Sequence, residues 1–101
     1  MSSVQVVHFL PGRVRLKVHA AKGNAAYIAR VREAFLEVPG IRSLEANPIT
    51  GSVLIIYDTG RITQTDAARA LAKALGTHFP SLDIPSVLRW LNVPHQAVTN
   101  P

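Results

Sequence analysis

The run His8-Phe9-Leu10-Pro11-Gly12-Arg13-Val14-Arg15-Leu16-Lys17-Val18 sets the architecture, because it couples a stiff turn to a strand of strict alternation. Side chains along a strand repeat every two residues. Val14, Leu16 and Val18 therefore share one face, and Arg13, Arg15 and Lys17 share the other. Proline lacks an amide donor and glycine tolerates dihedrals closed to other residues, so Pro11-Gly12 reads as a turn or a bulge. Upstream of it, Val4 to Phe9 is a short β-prone segment.

Working outward, Ala20 to Asn24 reads as a loop that ends on Asn24 as a helix N-cap. Ile28, Val31, Phe35 and Val38 recur at three- and four-residue steps and predict a helix over 25–37, stopped by Pro39-Gly40. Ile41 to Ala46 and Val53 to Tyr57 read as strands, and the loop Asn47-Pro48-Ile49-Thr50-Gly51 is short enough to make them antiparallel neighbours. A second helix follows: Thr63 and Asp66 have the spacing of a capping box, Ala67, Ala70, Leu71, Ala74 and Leu75 form the apolar face, and Gly76 closes it. Thr77 to Ile84 is the expected last strand, Pro85 to Leu91 a further helical turn or two carrying Trp90, and Asn92 to Pro101 a loose tail.

The order strand–helix–strand–strand–helix–strand predicts an α+β, ferredoxin-like βαββαβ sandwich, with two helices on one face of a four-stranded antiparallel sheet. The expected division is an N-terminal β-prone extension over 1–12, the ferredoxin-fold domain over 13–84, and a short helix with a tail over 85–101. With 101 residues, 48% of them hydrophobic and 17% charged, the chain fits one folded domain and not a disordered segment. No apolar run approaches the roughly 20 residues of a membrane span. The start Met1-Ser2-Ser3-Val4 lacks the features of a signal peptide, so a cytoplasmic location is the expectation.

Cysteine is absent, which excludes disulfides and thiolate metal sites. The net charge is +5, and Arg13, Arg15, Lys17, Lys22, Arg30 and Arg32 all precede the first acid, Glu33. This asymmetry favours an anionic partner, namely an acidic protein surface, nucleic acid or lipid headgroups; the plainer reading is a solvated basic face.

The segment Val38-Pro39-Gly40-Ile41, followed by Asn47-Pro48-Ile49-Thr50-Gly51-Ser52-Val53, resembles the heavy-metal-associated domain. That module belongs to copper chaperones and heavy-metal-transporting P-type ATPases, and it commonly shows L-P-G-V after its first helix and N-x-x-T-G between its second and third strands. The likeness covers roughly residues 13–76. The family's metal site is a CxxC at the start of the first helix, and here Asn24 and Tyr27 stand at those positions. Neither replaces a thiolate for a soft metal. The start His-x-x-Pro-Gly-Arg-Val-Arg is similar to a cysteine-free branch with a Pro-Gly-Arg turn, found as small proteins or N-terminal parts of P-type ATPases in iron- and metal-handling systems. The resemblance implies a role in metal transport or iron storage.

In a two-layer fold one sheet face packs on helices and the other stays open. On the family's register Val53, Ile55 and Tyr57 face the helices, which sets Leu54 and Ile56 beside Arg13, Arg15 and Lys17 on the open face. Burying two aliphatics would contribute roughly 1.5–3 kcal/mol each. The expected covers are Val4 to Phe9, the segment Ile84 to Val93 with Trp90, or another chain, including a second copy in a homodimer. At the turn, Pro11 and Gly12 can bring backbone amides near a ligand while Arg13 forks onto a carboxylate or phosphate; the alternative is a plain strand entry with a solvated arginine.

Four histidines lie scattered at 8, 19, 78 and 95, and only His8 is retained as a candidate metal or haem ligand, with no cofactor expected. No nucleophile elbow and no acid pair marked out for acid–base chemistry is present, so no catalysis is expected. RNA-recognition modules share this strand–helix order, but they stack bases on strand aromatics. The corresponding positions here hold Arg13, Arg15, Lys17, Leu54 and Ile56. The expectation is a recognition or regulatory module that binds an acidic protein surface, a metal-transporting P-type ATPase or an iron-storage component through Pro11, Gly12, Arg13, Arg15, Lys17, Leu54 and Ile56. A basic nucleic-acid-binding module is the alternative, and histidine-mediated metal or haem binding the third.

Overall fold

The computed structural model describes residues 4–80 together with Leu82 and Arg89. Four strands, β1 (Val4–Leu10), β2 (Arg13–Val18), β3 (Ile41–Asn47) and β4 (Ser52–Tyr57), form one antiparallel sheet in the order β1-β2-β4-β3. Three helices follow in chain order: α1 (Ala25–Leu36), a single turn α2 (Thr59–Ile62) and α3 (Thr65–His78). One face of the sheet gives Val14, Leu16, Val18, Leu44, Val53, Ile55 and Tyr57 to the same core as Ile28, Val31 and Phe35 of α1 and Leu71 and Leu75 of α3. The architecture is the ferredoxin-like α+β sandwich, with its two main helices on one side of the sheet.

The edge beside β2 is filled from an unexpected direction. Val4 to Leu10 is neither an appendage nor a cover over the open face: it is the edge strand itself, paired with β2 from Val4↔Val18 to Leu10↔Arg13. A two-residue turn makes this pairing local. Gly12 adopts φ +83°, the left-handed conformation that Pro-Gly turns require of their second residue. Its carbonyl accepts the Tyr57 amide at 3.0 Å and ties the turn to β4. The expected last strand is not formed where the structure describes it. Thr77 and His78 end α3, and Phe79 and Pro80 follow outside any strand. The rest of that segment, apart from Leu82, lies outside the described residues, as do the expected helical turn around Trp90 (Arg89 excepted) and the tail.

Asn24 caps α1 as its side chain predicts, accepting the Tyr27 amide at 3.0 Å. The expected capping box at Thr63 and Asp66 does not form. Thr63 donates its hydroxyl to the Gly60 carbonyl, Gln64 is the N-cap of α3 without a side-chain bond, and Asp66 is taken by Arg61. Sequence periodicity overlooked α2, whose cap is Asp58, accepting from the amides of Gly60 and Arg61. Gly76 does not close α3. The helix runs on to His78, because Phe79 is fully buried and stacks on Phe35 at 5.4 Å between ring centroids. The buried face of α3 uses Ala68 more fully than the expected Ala70.

Between β3 and β4, Gly51 sits at φ +79° and its carbonyl accepts the Val18 amide at 2.8 Å. A Cβ there would lie 2.7 Å from the Val18 carbonyl oxygen, so only glycine lets this loop close onto β2. The Pro48 carbonyl accepts the Gly23 amide at 2.7 Å, which brings the β3–β4 loop against the entrance to α1.

Candidate functional site

Strand register assembles the face turned away from the helices as three rows across β1, β2, β4 and β3. The first is Leu10–Arg13–Ile56–Ser43, the second His8–Arg15–Leu54–Glu45, and the third Gln5–Lys17–Ser52–Asn47. Each step crosses one strand spacing of about 4.8 Å. The period-two pattern forces this: once Val14, Leu16, Val53 and Ile55 are committed to the core, their neighbours must point outward. Arg13, Arg15 and Lys17 are exposed, whereas Leu54 and Ile56 are half-buried between them and β3.

Two apolar residues that sequence reasoning missed join this face from β1. A bulge between Val6 and His8 leaves Val7 unpaired and 57% exposed, and Leu10 is 47% exposed beside Arg13. The cations thus form a central ridge, flanked on one side by Leu54 and Ile56 and on the other by Val7 and Leu10. The signal for Leu10 lay in the two-residue turn, which sets it opposite Arg13. The bulge breaks the alternation of β1, and no local signal reveals Val7.

Charge on this face is one-sided. Among the described residues no hydrogen bond or ion pair engages the side chains of Arg13, Arg15 or Lys17, and Glu45 is the one acid in the three rows. Two other acids are spoken for at the same end of the sheet as the Pro11-Gly12 turn. Asp58 is held below its usual pKa by the Arg61 amide, then by the Arg42 guanidinium at 3.2 Å and the Gly60 amide. Asp66 is lowered to about 2, chiefly by its two-point hydrogen bond from Arg61 at 2.8 and 2.9 Å. Neither competes for the cationic ridge.

The positions where the resemblance would put thiolates have structural duties. Asn24 spends its side-chain oxygen on the α1 cap. Tyr27 donates its hydroxyl to the His78 carbonyl at 3.0 Å, which joins α1 to the end of α3, and the Arg30 guanidinium lies 6.0 Å from its ring centroid. Burial raises the Tyr27 phenol pKa, so it stays a neutral donor. These groups do not fit a soft metal: one is a cap and the other a bridge, and neither offers sulfur.

The described histidines lie on separate parts of the fold. His8 is exposed on β1, His19 follows β2 at the far end of that strand, and the His78 ring packs 6.1 Å from Phe35 on the helix side. Among the described residues no three of His, Asp and Glu gather. Of the described aromatics, Phe9, Tyr27, Phe35, Tyr57 and Phe79, all belong to the core or pack against it, so no stacking platform forms on the open face among the described residues. Pro11 and Gly12 close the β1–β2 hairpin, and Gly12 gives its carbonyl to the sheet. Among the described residues no helix is long and apolar enough to cross a membrane.

The family model described as heavy metal associated domain 2 matches residues 1–78, which takes in β1 and the turn as well as everything to the end of α3. No curated protein and no solved structure matches the chain significantly.

Proposed function

Because the chain belongs to the heavy metal associated domain 2 family, we propose that it acts as a non-catalytic recognition module in a metal-handling system. It docks on an acidic surface of a metal-transporting P-type ATPase or an iron-storage component, and does not hold the ion itself. The observation behind this reading is an exchange of emphasis within the fold. Asn24 and Tyr27 support the helix layer, while the opposite side of the sheet presents three cations with aliphatic flanks. Cations that lack an internal partner keep their Coulomb attraction for an incoming carboxylate, and the neighbouring apolar surface supplies the favourable burial.

Two measurements on the full chain test this. Calorimetric titration with Zn(II), Cu(I), Fe(II) and haem is expected to show no saturable stoichiometric site. Binding to the purified cytosolic domain of a metal-transporting P-type ATPase, or to an iron-storage protein, is expected to disappear in the Arg13→Glu/Arg15→Glu variant while circular dichroism stays unchanged. A tight site removed by His8→Ala, or capture that survives the charge reversal, overturns the proposal.

A further inference from the structure

Resting on the docking reading above, we infer that the partner segment on this face is an amphipathic α-helix, with carboxylates one turn apart beside a stripe of aliphatic residues. The argument begins with backbone chemistry. The surface is the flat of a sheet, and the hydrogen bonds of β1, β2, β4 and β3 run within its plane. A single extended peptide laid across it finds no backbone partner, and its own N–H and C=O groups lose water without replacement. A helix satisfies these groups internally. The helices α1 and α3 cover the opposite side of this same sheet in that way.

Spacing adds a second argument. Alternate residues of β2 set Arg13, Arg15 and Lys17 about 6.7 Å apart along the strand. Helical residues at i, i+4 and i+8 advance by about 6 Å per step. Over three contacts the two series drift by only about 1.4 Å, which arginine and lysine side chains absorb through their rotamers. Residues at i+3 and i+7 flank that acidic stripe on a helix. They would meet Leu54 and Ile56, one strand over from the cations. A nucleic-acid strand matches the cations alone. It leaves Val7, Leu10, Leu54 and Ile56 without apolar contact, and no described aromatic offers its bases a stacking surface.

The test is a solution NMR titration of the full, isotope-labelled chain with four probes. One is a helical peptide with Glu at i, i+4 and i+8 and Leu at i+3 and i+7. The others are a peptide of identical composition with that periodicity scrambled, a short single-stranded RNA, and phosphatidylglycerol vesicles. The periodic peptide is expected to give saturable shifts confined to the outward residues of β1, β2 and β4, with affinity about tenfold above the scrambled one. Arg13→Glu/Arg15→Glu and, separately, Leu54→Gln are each expected to weaken it by about tenfold or more while the remaining spectrum is retained. Equal affinity for the scrambled peptide overturns the helical partner and leaves the acidic docking surface standing. Preference for RNA or vesicles, shifts confined to α1 and α3, or no perturbation of the face overturns both.

Discussion

Placing thiolates at the entrance to α1 tests whether Asn24 and Tyr27 are structural. The double variant Asn24→Cys/Tyr27→Cys removes the side-chain cap on the Tyr27 amide and the hydroxyl bond to the His78 carbonyl. Loss of an N-cap costs about 1 kcal/mol, loss of the hydroxyl bond about 1 kcal/mol, and partial loss of the half-buried ring about 1 kcal/mol more. The sum of about 3 kcal/mol lowers Tm by roughly 15 °C for a domain of this size. A soft metal bound only by the folded state returns about 2.7 kcal/mol at a free concentration one hundred times its Kd, nearly the whole deficit. Urea denaturation under reducing conditions, with and without Zn(II) or Cu(I), measures both quantities. The parent chain is expected to show no metal-dependent shift. A double variant as stable as the parent refutes the structural assignment of the two side chains, and one that metal fails to rescue refutes this helix entrance as the place where the resemblance would put thiolates.

The two left-handed glycines in the loops that meet at α1 separate strain from collision. Gly51→Ala combines φ +79° with a 2.7 Å approach to the Val18 carbonyl, whereas Gly23→Ala has φ +66° and nothing within 4 Å. Thermal denaturation should show about 1 kcal/mol lost at Gly23 and clearly more at Gly51; equal losses would remove the collision from the explanation. Asp66 titrates near 2 in the folded chain, against an ordinary 3.8, because Arg61 stabilises its charged form. Its contribution is therefore complete above about pH 4 and is lost as pH falls through 2. Acid unfolding of Asp66→Asn should be flatter over that window than the parent's, and superimposable curves would refute it.

How much of this could be read in advance depends on whether the signal was local. The alternation in Arg13 to Val18 and the apolar run Val53 to Tyr57 are local, and they already fix which residues flank one another once the two strands are neighbours. The α1 stripe and the Asn24 cap are equally local. The role of β1 was hidden, because the bulge at Val7 breaks its period and its pairing is a tertiary matter, although the two-residue Pro11-Gly12 turn was a usable clue. At the end of α3, burial of Phe79 overrides the helix-stopping tendency of Gly76. The Thr63 cap failed because Asp58 starts a helical turn one step earlier and Arg61 captures Asp66. The cations and aliphatics of the open face were legible from period two, and Val7 was not.

The hairpin origin of the edge strand also changes the order in which this domain can assemble during synthesis. All four strands among the described residues lie before Asp58, so each of them has been synthesised before Thr65 is added. At about 5–20 residues per second, α3 follows within a few seconds at most. Emerging in sequence order, the apolar side of the sheet, including Val14, Leu16, Val53 and Ile55, meets α1 before α3 can add the other half of its cover. Among the described residues α3 is the last element to be added, and no described strand has to thread back into a ladder already formed.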